Sequence, residues 1–269
     1  MKLCRFQPLE FDAQNISRSG GETRPSPRAG ILEGDRVAEI QGKLWGSRAR
    51  TEKSWRLDAV KLLPPSTPSK IVCVGRNYLE HVKELANEVP QRPLIFLKPP
   101  SSIIAPEEPI VLPPISQRVD HEGELAVIIS RRCCQLPAEE NTADYVLGYT
   151  CLNDVTARDL QKLDVQFTRA KGFDTFCPFG PILETEFPPS GFSLETFVNG
   201  TRKQSGHTSE MIFSVDAIIR FIAQVMTLEP GDVIATGTPS GVGPLAAGDV
   251  VEVSISGIGT LRNPVIAAQ

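Results

Sequence analysis

Apolar and polar positions along this chain fall into short blocks, many of them alternating with a period of two. In "DHEGELAVIIS", residues 120 to 130, an extended backbone would place Glu122, Glu124, Ala126 and Ile128 on one face and Leu125, Val127 and Ile129 on the other. Both faces become apolar further along, which predicts a strand buried on two sides with its acidic end at an opening. The two carboxylates would stand about 7 Å apart along such a strand. At an exposed strand end they would simply be solvated; in a buried one a cation or a shared proton must offset their repulsion.

Similar reading predicts a buried strand at 71–74 in "KIVCVG", a helix over "LEHVKELANEV", and strands at "PLIFLK" and "YVLGYT". "SVDAIIRFIAQVMT" is the clearest helix, with Ser214 as N-cap and Val215, Ile218, Ile219, Ile222, Val225 and Met226 as its core stripe. "VIATGTPSGVGP" reads as a strand entering a glycine-rich loop, and "DVVEVSISGIG" as a half-buried strand. Before residue 63 lie strand-like pieces such as "RVAEIQGKLW", separated by the polar "SGGETRPSPRAG", and "LLPPSTPSK" resembles a linker. The expected organisation is a small N-terminal β-rich domain at 1–63 and a main domain at 64–269, mainly β with some α. Neither repeats nor heptads interrupt this pattern, and 23 prolines with 21 glycines favour turns over long helices.

Composition narrows the possible functions. With 41% hydrophobic and 22% charged residues the chain reads as globular and ordered. A net charge of −4, a pI near 5.6 and no basic run longer than Arg131-Arg132 remove the electrostatic case for nucleic acid as a partner. No stretch approaches the ~20 apolar residues of a membrane span, and the first residues lack a signal-like apolar run. The expectation is a soluble, cytoplasmic protein. Six cysteines without a C-x-x-C pair read as reduced thiols, and Cys133 and Cys134 are too close to pair with each other.

Asp154, in "CLNDVTARDLQKLD", follows an apolar strand and precedes a predicted helix. Alone it fits a cap or turn residue. Beside Glu122 and Glu124 it supplies a third hard oxygen donor, the chemistry that suits Mg²⁺ or Mn²⁺; zinc is disfavoured because neither histidine nor cysteine shows ligand spacing. His81 and Glu84 lie three apart on the predicted helix, either as a surface pair or as an imidazole oriented by a carboxylate. His121 falls on the opposite strand face from Glu122, and His207 in a hairpin loop. Lys171 offers a cation for an anion or an enolate, or is simply solvated. Residues 237–241, Gly-Thr-Pro-Ser-Gly, lack the order of a nucleotide-binding loop.

Taken in order, "GRNYLEH", "HEGELAVII", "NDVTARDLQ", "AKGFDTFCP" and "ATGTPSGVG" resemble the fumarylacetoacetate hydrolase family over about residues 70 to 265. The nearest likeness is to its short-chain members, among them acylpyruvate hydrolases, oxaloacetate decarboxylases and isomerase/decarboxylases. The resemblance implies a mixed β-roll, sandwich-like catalytic domain, a homodimer, and Mg²⁺ or Mn²⁺ held by Glu122, Glu124 and Asp154. It further implies a catalytic dyad of His81 and Glu84 on a lid helix, Lys171 in the active site, and substrate contacts from Arg76, Gln161 and Thr238. Long-chain hydrolases carry a further metal-binding Asp before the "RNY" segment, where this chain has Val74 and Gly75. This departure favours the short-chain group and speaks against fumarylacetoacetate as the substrate.

The implied reaction acts on a small 2-oxo acid through an enolate, with the cation as Lewis acid and Lys171 assisting. Hydrolysis of a 3-acylpyruvate is the first expectation. Loss of CO₂ would instead make an oxaloacetate decarboxylase, and proton movement alone an isomerase. Outside that class stand a dicarboxylate-binding module without turnover and a cofactor-free Ser or Cys hydrolase. The second lacks a G-x-S-x-G elbow.

Overall fold

The computed structural model describes residues 1–9 and 26–268. The separator read at 19–30 therefore lies outside the described residues up to 25, and the chain is in a strand at Arg28–Glu33.

Among the described residues strands dominate, as the alternating blocks predict. One twelve-stranded sheet runs from Ala49–Arg56 through Arg36–Gln41, Arg28–Glu33, Lys2–Pro8, Cys177–Glu184, Val146–Asn153, Gly123–Ile129 and Val233–Ala235 to Ile71–Gly75 and Leu94–Lys98. Val60–Leu63 pairs with Lys2–Pro8, and Ile103–Ile104 with Cys177–Glu184. The N-terminal strands are thus continuous with those of the main unit, joined through Lys2 opposite Glu184 and Leu3 opposite Leu183. A five-stranded sheet contains Thr201–His207, Ser193–Val198, Val250–Ile255, Gly259–Ala267 and Ile110–Leu112.

The strand at 123–129 is buried at every residue, and its two faces enter separate cores. Leu125, Val127 and Ile129 pack with Leu194, Val253 and Ile255 of the five-stranded sheet, while Ala126 and Ile128 join Ile71, Cys73, Phe179 and Val233. Each fully buried Leu, Ile or Val side chain contributes roughly 1.5–3 kcal/mol. A one-residue slip would exchange the two faces and carry Glu124 into an apolar core, so burial holds the register.

Three short helices contribute to the site, α1 (Leu79–Glu84), α2 (Arg158–Leu163) and α3 (Thr168–Lys171), and a longer one, α4 (Val215–Val225), packs into the core. In α4 the Ser214 Oγ accepts the Ala217 N–H, as expected of an N-cap. Its buried stripe is Ile218, Ile219, Ile222 and Ala223, shorter than the pattern predicts. Val225 is 58% exposed in the last turn, and Met226 leaves the helix in an extended conformation. The helix expected over "LEHVKELANEV" is also shorter, ending at Glu84. Ala86 turns into the left-handed region, with φ 51°, while the Ala86 N–H reaches Lys83 O and the Asn87 N–H reaches Val82 O. Those two bonds satisfy the last carbonyls and stop the helix. His207 lies at the end of a strand opposite Ser193 rather than in a hairpin loop, because the turn is made at Asn199 and Gly200.

Asp232 ties the entry of the Ile71–Gly75 strand to that of its parallel neighbour. Its carboxylate accepts from Ser69 N at 2.9 Å, Glu229 N at 2.8 Å and Lys70 Nζ at 2.5 Å. Burial would raise this carboxyl, but the Glu229 N–H, Lys70 and Ser69 hold it below its ordinary 3.8. A depressed folded-state pKa gives stability that is present above the unfolded value and lost as pH falls through the folded one. Asp232→Asn is expected to lower stability by about 2 kcal/mol at pH 7 and to shrink that loss in acid. Urea unfolding between pH 3 and 7 measures it, and an equal loss at both ends would refute the assignment.

Candidate active site

The acidic floor forms where the Gly123–Ile129 strand begins and its antiparallel neighbour Val146–Asn153 ends. Glu122 stands in the break between the short strand Val119–His121 and Gly123. Its backbone N–H donates to Asn153 Oδ1, and its carbonyl accepts the Asp154 N–H at 2.8 Å. Asp154 caps no helix: α2 begins at Arg158 with Ala157 at its cap. One oxygen each of Glu122, Glu124 and Asp154 converges within 4.8 Å. Gly123 is required between the glutamates, since a Cβ there would meet Thr196 Oγ1 of the second sheet at 2.1 Å.

All three carboxylates are at most 5% exposed. Lys171 Nζ bridges Glu122 Oε2 at 2.7 Å and Asp154 Oδ2 at 2.5 Å. Lys98 Nζ donates to Asp154 Oδ1 at 2.7 Å and to Val155 O at 3.1 Å. Arg158 donates from one Nη to Glu122 and from Nε to Asp120. Glu124 differs: among the described residues it has no ion-pair partner, and its carboxylate accepts the Gly237 N–H at 2.7 Å.

Electrostatics separate the two glutamates accordingly. Burial would raise the Glu122 carboxyl, yet Lys171 and Arg158, with His81 beyond, hold it well below the usual carboxylate range. Burial, then the charges of Asp154 and Glu122, push Glu124 well above that range. For Lys171, burial opposes the ammonium but Asp154 and Glu122 keep it protonated well past lysine's ordinary value. A floor of oxygen donors alone, with one acid uncompensated, fits a hard divalent cation: Glu122, Glu124 and Asp154 would hold it.

A cavity of about 480 Å³ opens above this floor, and His81 and Glu84 of α1 line it together with the three carboxylates. His81 is 5% exposed, with Nδ1 3.1 Å from Glu84 Oε2. The other Glu84 oxygen accepts the Gly241 N–H at 2.9 Å, which ties α1 to the 237–241 loop. If Nδ1–H donates to Glu84, Nε2 is the nitrogen available for proton transfer. Arg76, Gln161, Lys171 and Thr238 also line the cavity, so all nine site residues implied by the family resemblance reach it, while His121 and His207 do not line it. The Thr238 hydroxyl, however, donates to Gly123 O at 2.8 Å and accepts from Gln204 Nε2 at 2.7 Å, bonds that position the loop.

Four participants escape the sequence reading: Lys98, Arg158, Asp120 and Gln204. Lys98 closes the apolar strand "PLIFLK", the same signal of a charge ending a buried run that drew attention to Glu122. Arg158 lies within "NDVTARDLQ" itself. Gln204 comes from the second sheet, where its Oε1 accepts the Gly123 N–H between the two glutamates, and no local pattern marks it.

A mainly β fold with convergent carboxylates beneath a His-Glu pair has the make-up of an enzyme active site. Comparison then gives the family: residues 70–266 match "Fumarylacetoacetate (FAA) hydrolase C-terminal", and 21–65 match "Rv2993c-like, N-terminal". The chain belongs to the fumarylacetoacetate hydrolase family. It is 40% identical to oxaloacetate tautomerase YisK of Bacillus subtilis, covering 87% of this chain and 84% of that one. The structure of 5-carboxymethyl-2-hydroxymuconate delta-isomerase from Mycobacterium smegmatis superposes with a TM-score of 0.88 at 42% identity, covering 100% of both chains. That of maleylpyruvate hydrolase from Sphingobium sp. SYK-6, in complex with manganese(II) and pyruvate, gives 0.77 at 30% identity, again covering 100% of each. No described helix is long and apolar enough to cross a membrane.

Proposed function

We propose that this protein is a divalent-metal-dependent enzyme that enolises a small 2-oxo acid, with keto–enol tautomerisation of oxaloacetate as its reaction. The observation that carries this reading is that the His81–Glu84 pair and the three carboxylates line one cavity. Likeness to an oxaloacetate tautomerase supports the substrate. A cation on Glu122, Glu124 and Asp154 would act as Lewis acid toward the charge that develops on the 2-oxo oxygen. His81, oriented by Glu84, takes the proton from the carbon next to the oxo group and passes it to the enolate oxygen to give the enol; in the reverse direction it takes the enol proton and returns it to that carbon. The Lys171 ammonium adds fixed positive charge beside the developing oxyanion. Phe96, Phe167 and Leu94 supply the apolar part of a wall that is otherwise polar.

A second reading is hydrolysis of a 3-acylpyruvate, favoured by the likeness to a maleylpyruvate hydrolase. The same His81 would then activate a water. Oxaloacetate and acetylpyruvate, each assayed with and without Mn²⁺, separate the outcomes: enol–keto conversion alone means tautomerase, pyruvate with acetate means hydrolase, and pyruvate with CO₂ means decarboxylase. No metal-dependent conversion of either compound would sink the proposal. His81→Asn is expected to slow turnover about 10²–10⁴-fold while leaving thermal stabilisation by Mn²⁺ intact. Unchanged turnover would remove His81 from the mechanism.

A further inference from the structure

We propose that Asp120, a buried carboxylate that does not line the cavity, is a positioning residue for the active site: through Arg158 it holds the Gln161 amide with its nitrogen turned to the substrate. This inference rests on the 2-oxo acid reading and assigns work to residues that reading leaves unused.

A short third sheet builds the contact. Val119–His121 lies between Thr156–Ala157 and Gly243–Pro244, with Asp120 opposite Thr156. The Arg158 N–H donates to Arg118 O at 2.7 Å, so α2 leaves this sheet with its first side chain beside Asp120. The Arg158 guanidinium then meets three residues: Nε donates to Asp120 Oδ2 at 2.9 Å, Nη1 to Gln161 Oε1 at 2.6 Å, and Nη2 to Glu122. Its N–H groups have fixed directions in one plane, so acceptors on three separate nitrogens hold it in a single orientation.

Charge alone does not account for Asp120. Arg158 already faces Glu122, and Asp120 brings its own cation: Arg118 grips it with Nε at 2.9 Å and Nη2 at 3.2 Å. Asp120 is fully buried, whereas the Arg118 side chain is 49% exposed. This pair adds no net charge to the floor; it adds a fixed acceptor for Arg158 Nε. Its effect reaches the cavity at Gln161. A guanidinium has donors only, so the Gln161 atom beside Nη1 is the oxygen, and the amide nitrogen points elsewhere. Gln161 is half-buried at the cavity wall, and among the described residues nothing accepts from its Nε2. That nitrogen is a donor free for the oxygens of an acidic ligand. Asp120→Asn leaves one oxygen for three N–H groups, two from Arg118 and one from Arg158, so the guanidinium plane loses its anchor and the amide its orientation.

A double-mutant cycle on kcat/KM, for whichever of oxaloacetate and acetylpyruvate the Mn²⁺-loaded protein converts, tests the assignment. Asp120→Asn should lower kcat/KM about tenfold in the parent but less than about twofold in a Gln161→Ala background, where the group it positions is already gone. The rise in Tm on adding Mn²⁺ should stay at the parent's value in Asp120→Asn. Arg158→Lys keeps a charge opposite Glu122 but has no planar fork to span Asp120 and Gln161. It should show the same coupling to Gln161→Ala, and it decides the question if Asp120→Asn does not fold. Losses that multiply in the double variants, an unchanged kcat/KM in Asp120→Asn, or a lost Mn²⁺ rise overturn the positioning role and leave the 2-oxo acid reading standing. Conversion of neither compound by the parent overturns the two together.

Discussion

Glu124→Gln is expected to abolish divalent-cation binding and to lower turnover roughly 10³-fold, while the metal-free fold stays as stable as the parent or gains about 1 kcal/mol. Glutamine keeps the shape of the side chain and still accepts the Gly237 N–H. What it removes is the one carboxylate of the three without a cationic partner, whose charge is opposed by burial and by Asp154 and Glu122. Glu122→Gln should lose metal and turnover as well, but at a different cost. It leaves Lys171 and Arg158 short of a counter-charge at a buried site, which destabilises by about 3–5 kcal/mol. Thermal unfolding with and without Mn²⁺ distinguishes the two. Saturating Mn²⁺ at about 100 times its Kd stabilises a binding-competent protein by about 2.7 kcal/mol, a rise of roughly 5–10 °C in Tm. If Glu124→Gln retains that rise and its turnover, the carboxylate floor does not hold the cation.

Lys98→Met should be the most damaging change outside the three carboxylates. Its ammonium is 1% exposed as part of its residue and is shared between Asp154 Oδ1 and Val155 O, immediately behind the floor. Methionine fills a similar volume without charge, so packing survives and the electrostatic loss is isolated. Asp154 then depends on Lys171 alone, and Tm should fall by roughly 10 °C in metal-free buffer, corresponding to about 3–5 kcal/mol. Added Mn²⁺ should recover part of the loss by supplying positive charge to the same carboxylate. A variant with the parent's Tm would mean that Lys98 does not compensate Asp154.

Much of the site is legible in the sequence because it is encoded by interruptions of pattern. A strand such as 123–129 is apolar on both faces, so glutamates at its start stand out against what burial tolerates. His81 and Glu84 were legible for a similar reason, three residues apart on one short helix. Helix ends were less so: the stop at Glu84 depends on Ala86 adopting a left-handed backbone, which alanine does not announce. Lys98 and Gln204 were not legible as members of the site. Lys98 meets a carboxylate 56 residues away, and Gln204 reaches Gly123 across 81 residues from a different sheet.

By itself the chain's period-two alternation determined a β-rich fold with a doubly buried strand, and its charged strand end marked two like charges in need of compensation; the family resemblance supplied the rest of the candidate site. Local residue types and spacings suffice for the first two, because strand faces repeat every second residue whatever lies around them. Only the tertiary structure decided which carboxylate is paired and which is not. Coulombic compensation depends on distances of a few ångströms between groups brought together from different elements, and on how far each is removed from water. Glu122 and Glu124, identical in type and two apart in sequence, are therefore driven to opposite ends of the carboxylate range, one beneath Lys171 and Arg158 and the other against a backbone N–H.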